Sequence, residues 1–126
     1  MSPEVDSRDV LVIEDGPEQR TLIRRWILHE MAVDVRAVQS GEDGLQALLC
    51  HPFSLLVCDL GLPGMDGIEV ARRARRLAPD IRTLMVSASS DLSELTRIVR
   101  GPVDDFVPKP LRRPLLLERV GRLLWA

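Results

Sequence analysis

Apolar residues in this chain fall into short runs, and between the runs they recur at helical spacing. Leu55 to Cys58 is the clearest run: it is near-continuous and stops at Asp59. It is followed by a loop broken by Gly61, Pro63, Gly64 and Gly67. Such a run, bounded by turn residues, predicts a strand buried on both faces, as parallel sheets require. Asp9–Ile13 and Thr83–Val86 repeat the pattern, and Val103–Val107, followed by Pro108-Lys109-Pro110, reads as the last strand. Val33–Val38 instead alternates with Asp34 and Arg36, which predicts a strand at the sheet edge.

The intervening segments predict helices. Pro17 opens the first, and Leu22, Ile23, Trp26 and Ile27 form its apolar stripe, with Leu28 off the stripe. Ser40 caps the second, Glu42 and Asp43 occupy its first turn, and Leu45, Leu48 and Leu49 are its expected buried side. Ile68, Val70, Ala71, Ala74 and Leu77 mark the third, which ends at Pro79; its four arginines (72, 73, 75 and 76) read as a solvated face. Leu92, Leu95, Ile98 and Val99 give a short fourth helix closed by Gly101-Pro102, and Leu115–Trp125 a fifth. Strand and helix alternate five times without repeat or linker, the pattern of an α/β fold with a parallel sheet covered on both faces. One domain, residues 9–126, accounts for the chain, with residues 1–8 read as a flexible lead.

Charge and composition narrow the chemistry. A net charge of −2 with no basic block gives no support to nucleic-acid binding by this domain, and no apolar stretch is long enough to span a bilayer. The polar, acidic start is unlike a secretory signal, so a cytoplasmic location is expected, with Cys50 and Cys58 unpaired. Sixteen of the 17 basic residues are Arg; the one Lys, Lys109, stands between Pro108 and Pro110. A compact ammonium held where arginine is otherwise used throughout points to chemistry that a planar guanidinium would serve badly.

In a parallel sheet the strand ends share one edge, and these ends carry Glu14-Asp15, Asp59, Ser87 and Lys109. Three carboxylates brought together repel and raise one another's pKa. A divalent cation with hard oxygen ligands, Mg²⁺ above all, relieves that repulsion. With a hydroxyl and an ammonium added, the set suits a phosphoryl group: a carboxylate as nucleophile, cations to offset charge, and Ser87 as donor.

At these residues the chain resembles the receiver domains of bacterial two-component response regulators. The resemblance runs from Asp9 to about Trp125. It rests on Glu14-Asp15, Asp59 with Pro63, Met65-Asp66-Gly67, Ser87-Ala88 and Lys109-Pro110. It implies a flavodoxin-like, doubly wound five-stranded parallel sheet in the order 2-1-3-4-5 with five helices. It further implies that Asp59 accepts a phosphoryl group from a histidine of a sensor kinase or phosphotransfer protein. Mg²⁺ would be held by Asp15, Asp59 and the Gly61 carbonyl, with Glu14 acting through a water. Lys109 and the Ala88 backbone would contact the phosphoryl group. Ser87 and Phe106 would act as the switch toward the face of the fourth helix, fifth strand and fifth helix, with a downstream partner, an output domain or a phosphorylation-dependent dimer as its readers. Gly61 and Ser89 occupy the positions that tune dephosphorylation; both are small, so an aspartyl phosphate of modest lifetime is expected. Phe106 lacks a hydroxyl, and Gly101-Pro102 replaces the family's usual Ala-Gly, which stiffens that loop.

Three other readings fit less well. A phosphorylation-independent interaction module would not need the full set of five site residues. An aspartyl phosphatase wants a second Asp two residues past the nucleophile, where this chain has Gly61. A nucleotide or flavin site lacks a glycine-rich loop after the first strand.

Overall fold

The computed structural model of the chain describes residues 8–88 and 91–125. Its five strands are β1 (Val10–Ile13), β2 (Val35–Val38), β3 (Leu55–Asp59), β4 (Arg82–Ser87) and β5 (Asp105–Pro108). They form one parallel sheet in the order β2-β1-β3-β4-β5, the predicted order. The connections are helices α1 (Pro17–Glu30), α2 (Gly41–Cys50), α3 (Gly67–Leu77) and α4 (Leu92–Arg100), and α5 (Arg113–Leu124) closes the domain. Central β1 and β3 are buried along their whole length, whereas edge strand β2 is only half-buried, as its alternation predicts.

The period of two along each strand divides the core into two layers. Leu11, Ile13, Leu56, Cys58 and Met85 face one way, toward Ala47 of α2, Val70, Ala71 and Ala74 of α3, and Ile98 of α4. Val10, Val12, Leu55, Val57, Leu84 and Val86 face the other, toward Ile23 and Ile27 of α1 and Leu116 and Val120 of α5. Both faces are therefore covered, and the strand ends are left for chemistry.

The expected buried side of α2 needs correction. Leu49 is 64% exposed, and the helix instead buries Gly41, Gly44 and Ala47, with Leu45 and Leu48 packed at the flanks. Proximity is the cause. A Cβ at Gly44 would lie 2.1 Å from Ile13 Cδ1, so the helix axis approaches β1 too closely for a leucine face. Stripe positions in α1 and α3 also depart from expectation, for local reasons. Leu22 of α1 is exposed because Ile23 and Ile27 take the sheet-facing line. Leu77 is exposed because it ends α3, and the following Ala78 packs on the core instead.

Gly44→Ala is accordingly expected to destabilise the protein. The helix gains about 0.5–1 kcal/mol from losing a glycine, but overpacking a fully buried isoleucine costs about 1–3 kcal/mol. A net loss of roughly 1–2 kcal/mol in urea unfolding with an unchanged m-value is the expected reading; a stabilised variant would show that α2 can back away from β1.

Candidate functional site

Parallel strands deliver their ends to one edge, and backbone pairing beyond the strands fixes what stands there. Leu60 N–H donates to Val86 O at 2.8 Å, and Lys109 N–H donates to Ser87 O at 2.8 Å. These bonds seat the segment after Asp59 beside β4 and Lys109 beside Ser87. Lys109 Nζ then lies 3.0 Å from Asp59 Oδ2 and 3.2 Å from Glu14 Oε1. Glu14, Asp15 and Asp59 each offer an oxygen within 4.8 Å of the others'. Glu14 and Asp59 are 3% and 7% exposed, while Asp15 opens to solvent. Ser87, Ala88 and Gly61 line the same open cleft of about 700 Å³ as Asp59 and Lys109. The structure thus gathers the predicted set.

Local backbone donors hold the carboxylates in place. Gly61 N–H donates to Asp59 Oδ1 at 3.1 Å, and Gly16 N–H donates to Glu14 Oε2 at 2.9 Å. Asp59 also has α3 seated directly on its backbone. A Cβ at Gly67 would lie 2.5 Å from the Asp59 carbonyl oxygen and 2.8 Å from Leu60 Cα, so only glycine allows the helix to start there. Gly64, with φ of +82°, turns the chain back into that start, and the Asp66 side chain caps it by accepting from Ile68 N–H.

Electrostatics follow from burial and pairing. Burial pushes the Glu14 carboxyl up, with the charge of Asp59 adding to it, against the Gly16 N–H and Lys109. Burial is the larger cause, whereas carboxylate repulsion was the expected one. Burial also disfavours the Lys109 ammonium, but the hydrogen bond and charge of Asp59, with Glu14 behind it, more than offset this and raise its pKa. Lys109 is therefore a firmly held cation at neutral pH. The Cys58 thiol, pushed far up by burial, stays protonated and inert.

Whether the residues suit a divalent cation turns on their donors. Three carboxylates converge, one facing solvent, and Glu14 Oε1 is buried without a hydrogen-bond donor, in ion-pair contact only. Hard oxygen donors with an open side fit Mg²⁺, which keeps several of its waters.

Some site features lie outside the predicted set. Arg20 Nη1 donates to the Glu14 carbonyl at 3.0 Å and the Asp15 carbonyl at 3.3 Å, bracing the acidic turn. An arginine within the first helical turns after an acidic strand end is the signal that would have found it. Arg97 and Glu94 of α4 line the cleft, and Arg97 pairs with Asp66 at 2.7 Å. Those partners are 31 residues apart, so no local pattern announces them. Phe106 is half-buried, opposite Met85 in the sheet and packed against the core layer of α2, α3 and α4. Arg72, Arg73 and Arg76 of α3 are exposed, as a solvated face requires, and Arg75 is half-buried; Arg72 and Arg73 pair with Glu69, and Arg75 with Asp104. Ser89 and residues 1–7 of the expected lead 1–8 lie outside the described residues, and Arg8, its last residue, donates to the Leu124 carbonyl at 3.1 Å.

Comparison with known proteins agrees with this geometry. Residues 10–121 match the profile of the response regulator receiver domain. The chain is 30% identical over 115 residues to the response regulator MprA of Mycolicibacterium vanbaalenii, covering 91% of the chain and 49% of that protein. It is 33% identical over 115 residues to the transcriptional regulatory protein AfsQ1 of Streptomyces coelicolor, covering 91% and 50%. The chain thus spans about half the length of the curated relatives it matches. Among solved structures, a CheY-like receiver domain protein from Methanospirillum hungatei superposes with a TM-score of 0.86 at 23% identity, over 94% of each chain. The BeF₃-activated DrrB receiver domain does so with 0.86 at 24%, over 95% of this chain and 99% of that one. At such identities the superpositions speak for the fold alone.

Proposed function

This chain belongs to the response regulator receiver domain family, and from that premise we propose that Asp59 is the residue that takes the phosphoryl group. The observation that carries the reading is Lys109 Nζ within 3.2 Å of two buried carboxylates from two different strand ends, beside Ser87 in one open cleft. A site built only for stability has little reason to bury two acids against one amine, because desolvation consumes much of the Coulombic gain.

The donor is a phosphohistidine of a sensor kinase or phosphotransfer protein. An Asp59 carboxylate oxygen attacks phosphorus, a P–O bond forms, and the P–N bond breaks with its electron pair leaving on the imidazole nitrogen. Lys109 stabilises the transferred oxygens as a point charge, and Ser87 and the Ala88 backbone supply hydrogen bonds. Asp15, Asp59 and the Gly61 carbonyl would hold Mg²⁺, with Glu14 acting through a water, and the ion would supply charge to offset that on the transferred oxygens. Dephosphorylation is a second displacement: water attacks phosphorus and loses a proton, and the acyl phosphate P–O bond breaks with its electron pair returning to the Asp59 carboxylate, releasing inorganic phosphate. A Cβ at Gly61 would meet no atom within 4 Å, which supports an approach for that water on the Gly61 side and an aspartyl phosphate of modest lifetime. Ser87 and Phe106 pass the change to the face of α4, β5 and α5, where an output domain, a partner or a second copy reads it. Among the described residues no helix is long and apolar enough to cross a membrane, and a cytoplasmic setting suits a partner of histidine kinases.

Incubation with phosphoramidate followed by intact mass measurement tests the reading. One phosphoryl group per chain is expected with Mg²⁺ present, and none with excess EDTA. A chain that takes up no label in Mg²⁺ is instead an interaction module on the receiver fold.

A further inference from the structure

The geometry points to Arg97 as a positioning residue: its ion pair with Asp66 ties helix α4 to the segment that carries Asp59. The inference deepens the phosphoacceptor reading and rests on it. Asp66 divides its carboxylate between two elements. Oδ1 accepts Ile68 N–H at 2.7 Å and so caps α3, while Oδ2 accepts from Arg97 Nη2 at 2.7 Å. The next residue, Gly67, is the one pressed against the Asp59 carbonyl, so Asp66 cannot shift without disturbing the acceptor's backbone. Glu94, one turn before Arg97, pairs with the same guanidinium at 3.2 Å and steers it along α4. Asp66, Glu94 and Arg97 all line the cleft that holds Asp59 and Lys109. Burial alone would raise the Asp66 carboxyl, yet the Arg97 hydrogen bond and the Ile68 N–H hold it below the usual range.

An ion pair as exposed as this shifts an equilibrium by only about two- to fivefold. For a well-packed helix that would be trivial. Helix α4 is not well packed: Ile98 is its one buried residue, and Leu92 and Val99 are 77% and 73% exposed. A small electrostatic tie therefore decides how closely the helix follows the acceptor segment.

Amide hydrogen exchange over residues 92–100 tests this in wild type, Arg97→Gln, Asp66→Asn and the double variant. Each is measured free and with beryllofluoride plus Mg²⁺, a phosphoryl mimic on a carboxylate. Asp66→Asn keeps the capping oxygen and replaces the oxygen that accepts from Arg97 with an uncharged amide N–H₂. In the free state, exchange across α4 should quicken about two- to fivefold in either single variant and no further in the double. Adding 1 M NaCl should reproduce that in wild type and leave the variants unmoved, because screening at that strength reaches roughly 3 Å. With beryllofluoride, the change over α4 should fall by more than half in the variants, while protection around Asp59 matches wild type. Variants that exchange like wild type, or singles whose effects add in the double, would overturn the tie. If beryllofluoride alters nothing in wild type, the acceptor reading falls, and the free-state measurements still decide the tie.

Discussion

Asp59→Asn should lose phosphorylation from phosphoramidate by at least about 10³-fold while keeping the fold, as expected for removal of a nucleophile. Asparagine is nearly isosteric, and its Oδ1 still accepts the Gly61 N–H that orients Asp59. What disappears is the anionic oxygen. Stability should move by no more than about 1 kcal/mol, because the lost contact with Lys109 is offset by relief of the raised Glu14 carboxyl. Intact mass and urea unfolding read the two effects separately. Retained labelling at normal stability would place the acceptor elsewhere.

Lys109→Met should damage chemistry and stability together, in a way that pH and Mg²⁺ can separate. Losing a fixed charge beside the transferred oxygens is expected to slow labelling by about 10²–10³-fold. Stripping one partner from a buried ion pair costs about 3–5 kcal/mol when nothing replaces it. Here the cleft admits solvent, so a loss of roughly 1–3 kcal/mol in EDTA is expected, part of it restored by Mg²⁺. The sign with pH follows from Glu14. Its folded-state pKa lies above the ordinary glutamate value, so its ionisation opposes folding, and that penalty grows as pH rises from the ordinary value through the raised one. Without Lys109, one of the groups holding that pKa down, the penalty should deepen and its window shift upward. The stability gap between variant and wild type should therefore close on acidification. A gap that is constant across the window would mean that Lys109 contributes packing rather than charge.

Much of this site was legible because each of its members ends an apolar run. Parallel topology turns that one-dimensional fact into a shared edge, which groups Glu14, Asp15, Asp59, Ser87 and Lys109 from the sequence alone. The edge position of β2 followed from Asp34 and Arg36, whereas the sheet order came from the family resemblance and not from the pattern of runs. What eluded the sequence depended on distances between elements. Leu49 fits a helical stripe as well as Ala47 does, and only the approach of α2 to Ile13 selects the smaller residue. The exposure of Leu92 and Val99 is set by how lightly α4 sits on the core, which periodicity does not encode. The Arg97–Asp66 pair joins two caps-and-helices units with no spacing rule between them.

The arginine-rich composition has a practical corollary. With one lysine in the sequence, and that one at the cleft, the protein carries a single ε-amine, and acylating it would neutralise the charge facing Asp59. Because Asp59 and Glu14 hold that amine as a cation, it should resist amine-directed reagents at neutral pH, and its acylation would report loss of those ion pairs.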